Sequence, residues 1–192
     1  MKTKTKSNML VGGLTLSVLA VGSYNNELVA SDFNSDTESY QATQVAGDSC
    51  EITEQQQHML DLINTARSQA RSCGGESYQA VAPLTWSCQL GESAAAHTKD
   101  MATHNFFSHT GSDGLSGGDR ILASGYDWGY YGENIAGGFI FAEEAMAGFL
   151  ESAGHCENIM SSEVTKFGSF MMFNENVDYQ SYWSNLFAAP NS

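Results

Sequence analysis

Gly132-Glu-Asn-Ile-Ala-Gly-Gly138 sets a carboxylate between glycines, and two further stretches share its character. Asn105-Phe-Phe-Ser-His-Thr110 carries an imidazole behind two aromatic residues, and Gly154-His-Cys-Glu-Asn158 carries one after a glycine at a helix end. Each can be an ordinary turn. Packing alone explains none of the three well, and together they form an ordered set whose chemistry rests on His109, Glu133 and His155.

Outward from these stretches, the spacing of apolar residues predicts helices. Met59, Leu62, Ile63, Ala66 and Ala70 make one stripe, so a first helix is expected over 51–71, ended by Cys73-Gly-Gly with a glycine at the left-handed cap. Ser87 is a good N-cap for a second helix whose face carries Leu90, Ala94, His97 and Met101. Residues 119–124 read as a short helix and 142–152 as another, burying Ala145, Met146, Phe149 and Leu150. The aromatic and Met residues of 167–173, the turn Asn174-Glu-Asn176 and the run 182–187 predict a C-terminal hairpin. Helices first and strands late imply α+β layers.

Composition narrows the class. The 192 residues carry 42% apolar and 16% charged residues, which excludes wholesale disorder. The net charge is −14 and only 8 residues are basic, without a basic stripe, so a nucleic-acid backbone is not an expected partner. Three of the basic residues are Lys2, Lys4 and Lys6, followed by the apolar run 9–22. That order reads as a secretory signal peptide over 1–22, with cleavage as late as 30. The run is too short and glycine-broken for a membrane span of about 20 residues, so no transmembrane anchor is expected. Removal of residues 1–30 leaves 5 basic and 21 acidic residues, a net charge of −16. Residues 23–49 read as a flexible acidic linker and 50–189 as the folded domain. In an exported chain, the four cysteines Cys50, Cys73, Cys88 and Cys156 favour two disulfides; three pairings are open, and no Cys-x-x-Cys pair suggests a zinc knuckle.

The remaining histidines read blandly. His58 lies in a polar run, His97 is expected as a satisfied core histidine, and His104 as a helix-end residue. His104 and His109, five apart, point about 140° away from each other on a continuous helix and so do not share a metal. The Gly111–Asp119 loop lacks the alternating oxygen ligands of an EF-hand, and Arg120 suits an ion pair or carbonyl contact.

These stretches, with Leu62-Ile-Asn-Thr-Ala-Arg67, Pro83-Leu-Thr-Trp86, Ala94-Ala-Ala-His-Thr-Lys-Asp-Met101, Asp119-Arg120 and Tyr182-Trp-Ser-Asn-Leu-Phe187, occur in one order. The ordered set resembles the bacterial secreted branch of the CAP superfamily (cysteine-rich secretory protein, antigen 5 and pathogenesis-related-1; the SCP domain) over nearly all of 55–188. The resemblance implies a three-layer α-β-α sandwich with a small antiparallel sheet. It also implies a cleft of two histidines and two acids able to hold a divalent metal, Zn²⁺ first. By motif, His109, Glu133 and His155 fill three places. In the animal and plant branch the second acid falls three residues past a helix aromatic; here Phe149 is that aromatic and Ser152 stands at the acid's place. Glu151 is one position off, about 100° around the helix. The same His-Glu-His set also suits a buried polar network that fixes three segments. The resemblance further implies the pairing Cys73–Cys156, leaving Cys50–Cys88.

Two functions follow from the resemblance. One is a monomeric extracellular module that binds a small-molecule, lipid or protein ligand. The other is a metal-assisted hydrolase, peptidase-like or nuclease-like, with Glu133 as candidate base. Ser152 or Ser108 as a nucleophile lacks the Gly-x-Ser-x-Gly elbow. The incomplete acid set favours binding.

Overall fold

The computed structural model describes residues 50–191. The expected signal peptide and the expected linker both lie outside the described residues. The elements, in chain order, are α1 (Glu54–Arg67), β1 (Arg71–Cys73), β2 (Glu76–Tyr78), β3 (Thr85–Trp86), α2 (Cys88–His104), α3 (Gly117–Ala123), β4 (Trp128–Gly137), α4 (Ala142–Glu151), α5 (Ala153–Met160), β5 (Lys166–Phe173) and β6 (Ser181–Pro190).

The main sheet has the order β3-β5-β6-β4, so β4 is an edge strand. β5 and β6 form the expected hairpin, and β6 pairs antiparallel with β4 in a register that sets Glu133 opposite Leu186. The sheet is antiparallel except for the two-residue β3, which runs parallel to β5. Side chains alternate between its faces, as the pleat demands. Trp183, Phe187, Phe167 and Ala136 meet α1, α4 and α5 in one core. Leu186 and Ala188 meet Leu90 and Ala94 of α2 and Ile121 of α3 on the other side, and Tyr182 and Ile135 meet Met101 and Ala102. Helices therefore cover both faces, which gives the expected three-layer α-β-α sandwich.

The first helix is shorter than the stripe suggests. It is opened by a capping box on Thr53 and Gln56 and ends at Arg67, not at Arg71. Arg67 is 1% exposed and donates to Ala82 O, Ile159 O and Ser161 O at 2.7–2.8 Å. Burial lowers its pKa to about 10. Its cation thus sits against the carbonyl end of α5, where a positive charge is favoured. Cys73-Gly-Gly is not a helix cap. It forms the turn of the β1–β2 hairpin, with Gly74 at φ 60° and Gly75 at φ 100°, a pair of left-handed positions that glycine supplies without strain.

Both disulfides join the expected partners, Cys50–Cys88 and Cys73–Cys156, with Cα–Cα distances of 5.8 and 5.4 Å. The second spans 83 residues and ties the β1–β2 hairpin to α5. Such a closure stabilises by about 4 kcal/mol in the chain-entropy model.

Candidate functional site

The Gly132–Gly138 stretch is not a loop: all but its last glycine lie in the ten-residue strand β4, which ends at Gly137. Glu133 and Asn134 are consecutive on this strand, so they project to opposite faces. Each organises one of the two histidine segments.

On the α3 face, the Glu133 carboxylate is 9% exposed and bonded at both oxygens. His109 Nδ1 lies 2.8 Å from Oε2, and Arg120 Nη2 donates to Oε1 at 2.7 Å. Burial pushes the Glu133 pKa up, but the hydrogen bond from His109 and the Arg120 charge outweigh it. The group ends below its ordinary value. An ionised carboxylate only accepts, so Nδ1 of neutral His109 carries the proton and Nε2 the lone pair. The His109 side chain remains 58% exposed. Arg120 makes both contacts expected of it: besides the ion pair, Nη1 donates to His109 O at 3.1 Å and to Leu115 O at 2.9 Å.

Local sequence delivers His109 to this place. Asn105 ends α2 in the left-handed conformation (φ 51°, ψ 55°), which Asn tolerates better than most residues. The chain then turns back along α2, where His97 Nε2 lies 2.9 Å from Ser108 O. His97 is fully buried, as expected, but it is satisfied only at Nε2: its Nδ1 has no hydrogen-bond partner among the described residues, and burial lowers its pKa despite the Glu133 charge. It holds the backbone next to His109.

On the opposite face, Asn134 Nδ2 donates to His155 O at 3.0 Å, and Asn158 Nδ2 donates to Asn134 Oδ1 at 2.8 Å and to Glu133 O at 3.3 Å. Gly132 permits this approach, since a Cβ there would lie 2.7 Å from Asn158 Oδ1. His155 is not in a loop after a helix; it occupies the first turn of α5. Its ring meets Phe149 edge-on at 5.4 Å between centroids. Burial first, and then the neighbouring His109, lower its pKa. The two imidazoles are reached from the two sides of the edge strand.

Glu151 and Ser152 do not enter this network. Glu151 is exposed at the end of α4, and Ser152 occupies the junction to α5 without a side-chain cap bond. His58 and His104 pair with Glu143 and Asp100 on the surface, at 2.8 and 2.7 Å. Asn134 and Asn158 were not singled out by the sequence; the Glu-Asn and Glu-Asn repeats at 133–134 and 157–158 are the only trace of them.

A zinc centre takes three or four protein ligands. Among the described residues no three His, Cys, Asp or Glu side chains come together as a metal-holding group. Glu133 has both oxygens bonded to His109 and Arg120. The donor set therefore does not fit a resident zinc ion with His109, Glu133 and His155 all as ligands. It fits a carboxylate-oriented imidazole beside a second imidazole. Two cavities each include a partner of Glu133, and neither is lined by His109 or His155. One of about 500 Å³ involves Tyr78, Tyr130, Glu157 and Asn158; the other, of about 460 Å³, involves Arg120.

An α-β-α sandwich with this His–Glu pair against its edge strand defines a CAP-type domain. The model of the cysteine-rich secretory protein family (CAP) matches residues 60–187, and the chain belongs to that family. It is 31% identical over 116 residues to the uncharacterised membrane protein YlbC of Bacillus subtilis, covering 60% of this chain and 31% of that protein. It is 28% identical over 117 residues to the uncharacterised protein YkwD of the same organism, covering 61% and 42%. The chain thus matches less than half the length of these curated relatives. An extracellular SCP-domain protein from Bacillus anthracis superposes with a TM-score of 0.57 at 26% identity, over 73% of this chain and 45% of that one. An outer surface protein of Borrelia burgdorferi shares the fold, with a TM-score of 0.52 at 20% identity over 58% and 80%. No described helix is long and apolar enough to cross a membrane.

Proposed function

We propose that the chain is an exported CAP module that binds a ligand or partner at the edge of β4 through His109 and His155. Export is supported by the basic and apolar pattern of residues 1–22 and by the extracellular and outer-surface relatives. The observation that carries the binding reading is the state of Glu133. Its buried carboxylate is bonded at both oxygens and has a lowered pKa, so it is a poor general base. Its work is to orient His109, which presents an exposed acceptor nitrogen to a donor on the ligand. A divalent cation meeting the two imidazoles is held weakly and exchangeably.

The hydrolase alternative has to use His109, not Glu133, as base. A broad peptide and nucleic-acid substrate screen, with and without zinc, separates the two. The binding reading expects no turnover that disappears in His109→Ala or Glu133→Gln; turnover lost in either overturns it. Calorimetric zinc titration complements the screen, with weak binding expected and its loss in His109→Ala or His155→Ala.

A further inference from the structure

A cavity of about 500 Å³ lies where β2, α5 and the start of β4 meet. Its size is that of a small-molecule site. Tyr78 and Tyr130 line it together with Glu157, and Ser77, Gln79 and Asn158 add polar atoms. Tyr78 is partly buried at the end of β2, whereas Tyr130 is 42% exposed on β4 and Glu157 is exposed on α5. The Tyr78 phenol lies within electrostatic reach of the other groups: burial first, and then Glu157, Glu76 and Tyr130, raise its pKa. Two aromatic side chains and a carboxylate are thus gathered around one space.

The walls of this space are held in place. The Cys73–Cys156 disulfide ties the β1–β2 hairpin to α5. Gly74 in the hairpin turn packs so closely on α5 that a Cβ there would lie 2.5 Å from Ala153 Cβ. A site whose walls are fixed before binding loses less conformational freedom when it is filled.

The charge in the cavity is unanswered. Glu157 has no ion pair or hydrogen bond among the described residues. Two arginines lie nearby, but neither lines the cavity. Arg67 donates to the carbonyls of Ala82, Ile159 and Ser161; Arg71, opposite Tyr78 in the hairpin, donates to Ala66 O at 3.0 Å. The Asn158 amide donates to Glu133 O and Asn134 Oδ1, which leaves its own Oδ1 as an acceptor. An anion entering here meets Glu157, with Glu76 close by. A bare divalent metal finds a single carboxylate, too few charged oxygens for a stable site. A trimethylammonium group has no N–H to offer Ser77, Gln79 or Asn158. A guanidinium suits every wall: it stacks on an aromatic ring, pairs with a carboxylate through parallel N–H groups and keeps further donors for neutral oxygens.

We propose that the cavity between β2, α5 and β4 binds a guanidinium group, stacked against Tyr78 and Tyr130 and paired with Glu157. The ligand class is an arginine side chain, as the free amino acid or within a peptide.

The test is aromatic ¹H–¹³C NMR titration of the full chain with N-acetyl-L-arginine amide. Saturable shifts of the Tyr78 and Tyr130 ring resonances are expected. The neutral isostere N-acetyl-L-citrulline amide should bind about tenfold more weakly, and Glu157→Gln should weaken the arginine probe by about the same factor, as loss of a charge-assisted contact does. Tyr130→Leu keeps apolar bulk but removes an aromatic face, and should weaken it about two- to fivefold. Both substitutions fall at exposed positions, so the variants fold. Free L-arginine distinguishes the sources: tighter binding than the blocked amide assigns the free amino acid, weaker binding assigns an arginine within a peptide, and both support the guanidinium. No saturable shift at Tyr78 and Tyr130, equal binding of the citrulline probe, or unchanged binding in Glu157→Gln overturns the proposal. Each of these failures leaves the histidine-cleft reading untouched, because neither His109 nor His155 lines this cavity.

Discussion

Glu133 and Asn134 are neighbours on one strand and do parallel work by different means. Glu133 holds a ring: its carboxylate fixes His109 and is itself neutralised by Arg120. Asn134 holds a backbone: its amide grips the His155 carbonyl and is held by Asn158. The charged side sets the tautomer and direction of an exposed imidazole. The neutral side sets the position of a helix and leaves the His155 ring to packing on Phe149. Orientation of a reactive atom asks for a charge, whereas placement of a segment asks only for satisfied amides.

The sharpest way to break this contrast is to strip the charged side of its cation. Arg120→Ala leaves a buried carboxylate unpaired, and denaturant unfolding should show a loss of about 3–5 kcal/mol. Asn134→Ala removes neutral hydrogen bonds and leaves the Asn158 amide short of an acceptor. The same measurement should then show about 1–3 kcal/mol. Equal losses would erase the distinction between the two sides.

A smaller effect is expected from pH. His97 and His155 both have folded pKa values below the ordinary histidine value, because burial disfavours their charged forms. The unfolded chain therefore takes up protons first as pH falls through about 6.5, so stability should fall as pH drops below that value. The depressed pKa of Glu133 adds a further loss at lower pH, as its carboxylate is protonated. His155→Gln should flatten part of the first slope in denaturant midpoints measured against pH. The smallest effect is His109→Ala: its exposed ring contributes about 1 kcal/mol or less to stability, but its removal should raise the pKa of His155.

Much of the fold was legible in the chain. Ser87 caps α2 as expected, and the β5–β6 hairpin follows from the dense aromatic run and the Asn174-Glu-Asn176 turn. β4 was hidden because helices cover both faces of the sheet, so the strand shows no apolar–polar alternation, and its polar residues Glu133 and Asn134 are buried through partners distant in sequence. The early end of α1 was hidden for a related reason: Arg67 reads as a surface cation until the carbonyls of Ala82, Ile159 and Ser161 are brought to it. At the site, motif order pointed to His109, Glu133 and His155, and the first two meet in the structure. That Glu133 orients His109 instead of offering an oxygen of its own depends on Arg120 lying across from it, and no local pattern announces that contact.

The most direct test of the account is the tautomer of His109, read from the ring nitrogens of ¹⁵N-histidine-labelled protein by long-range ¹H–¹⁵N NMR at neutral pH. The account predicts a protonated Nδ1 and an unprotonated Nε2 in the wild type, with that preference lost in Glu133→Gln. A protonated Nε2, or a spectrum unchanged by Glu133→Gln, would contradict it.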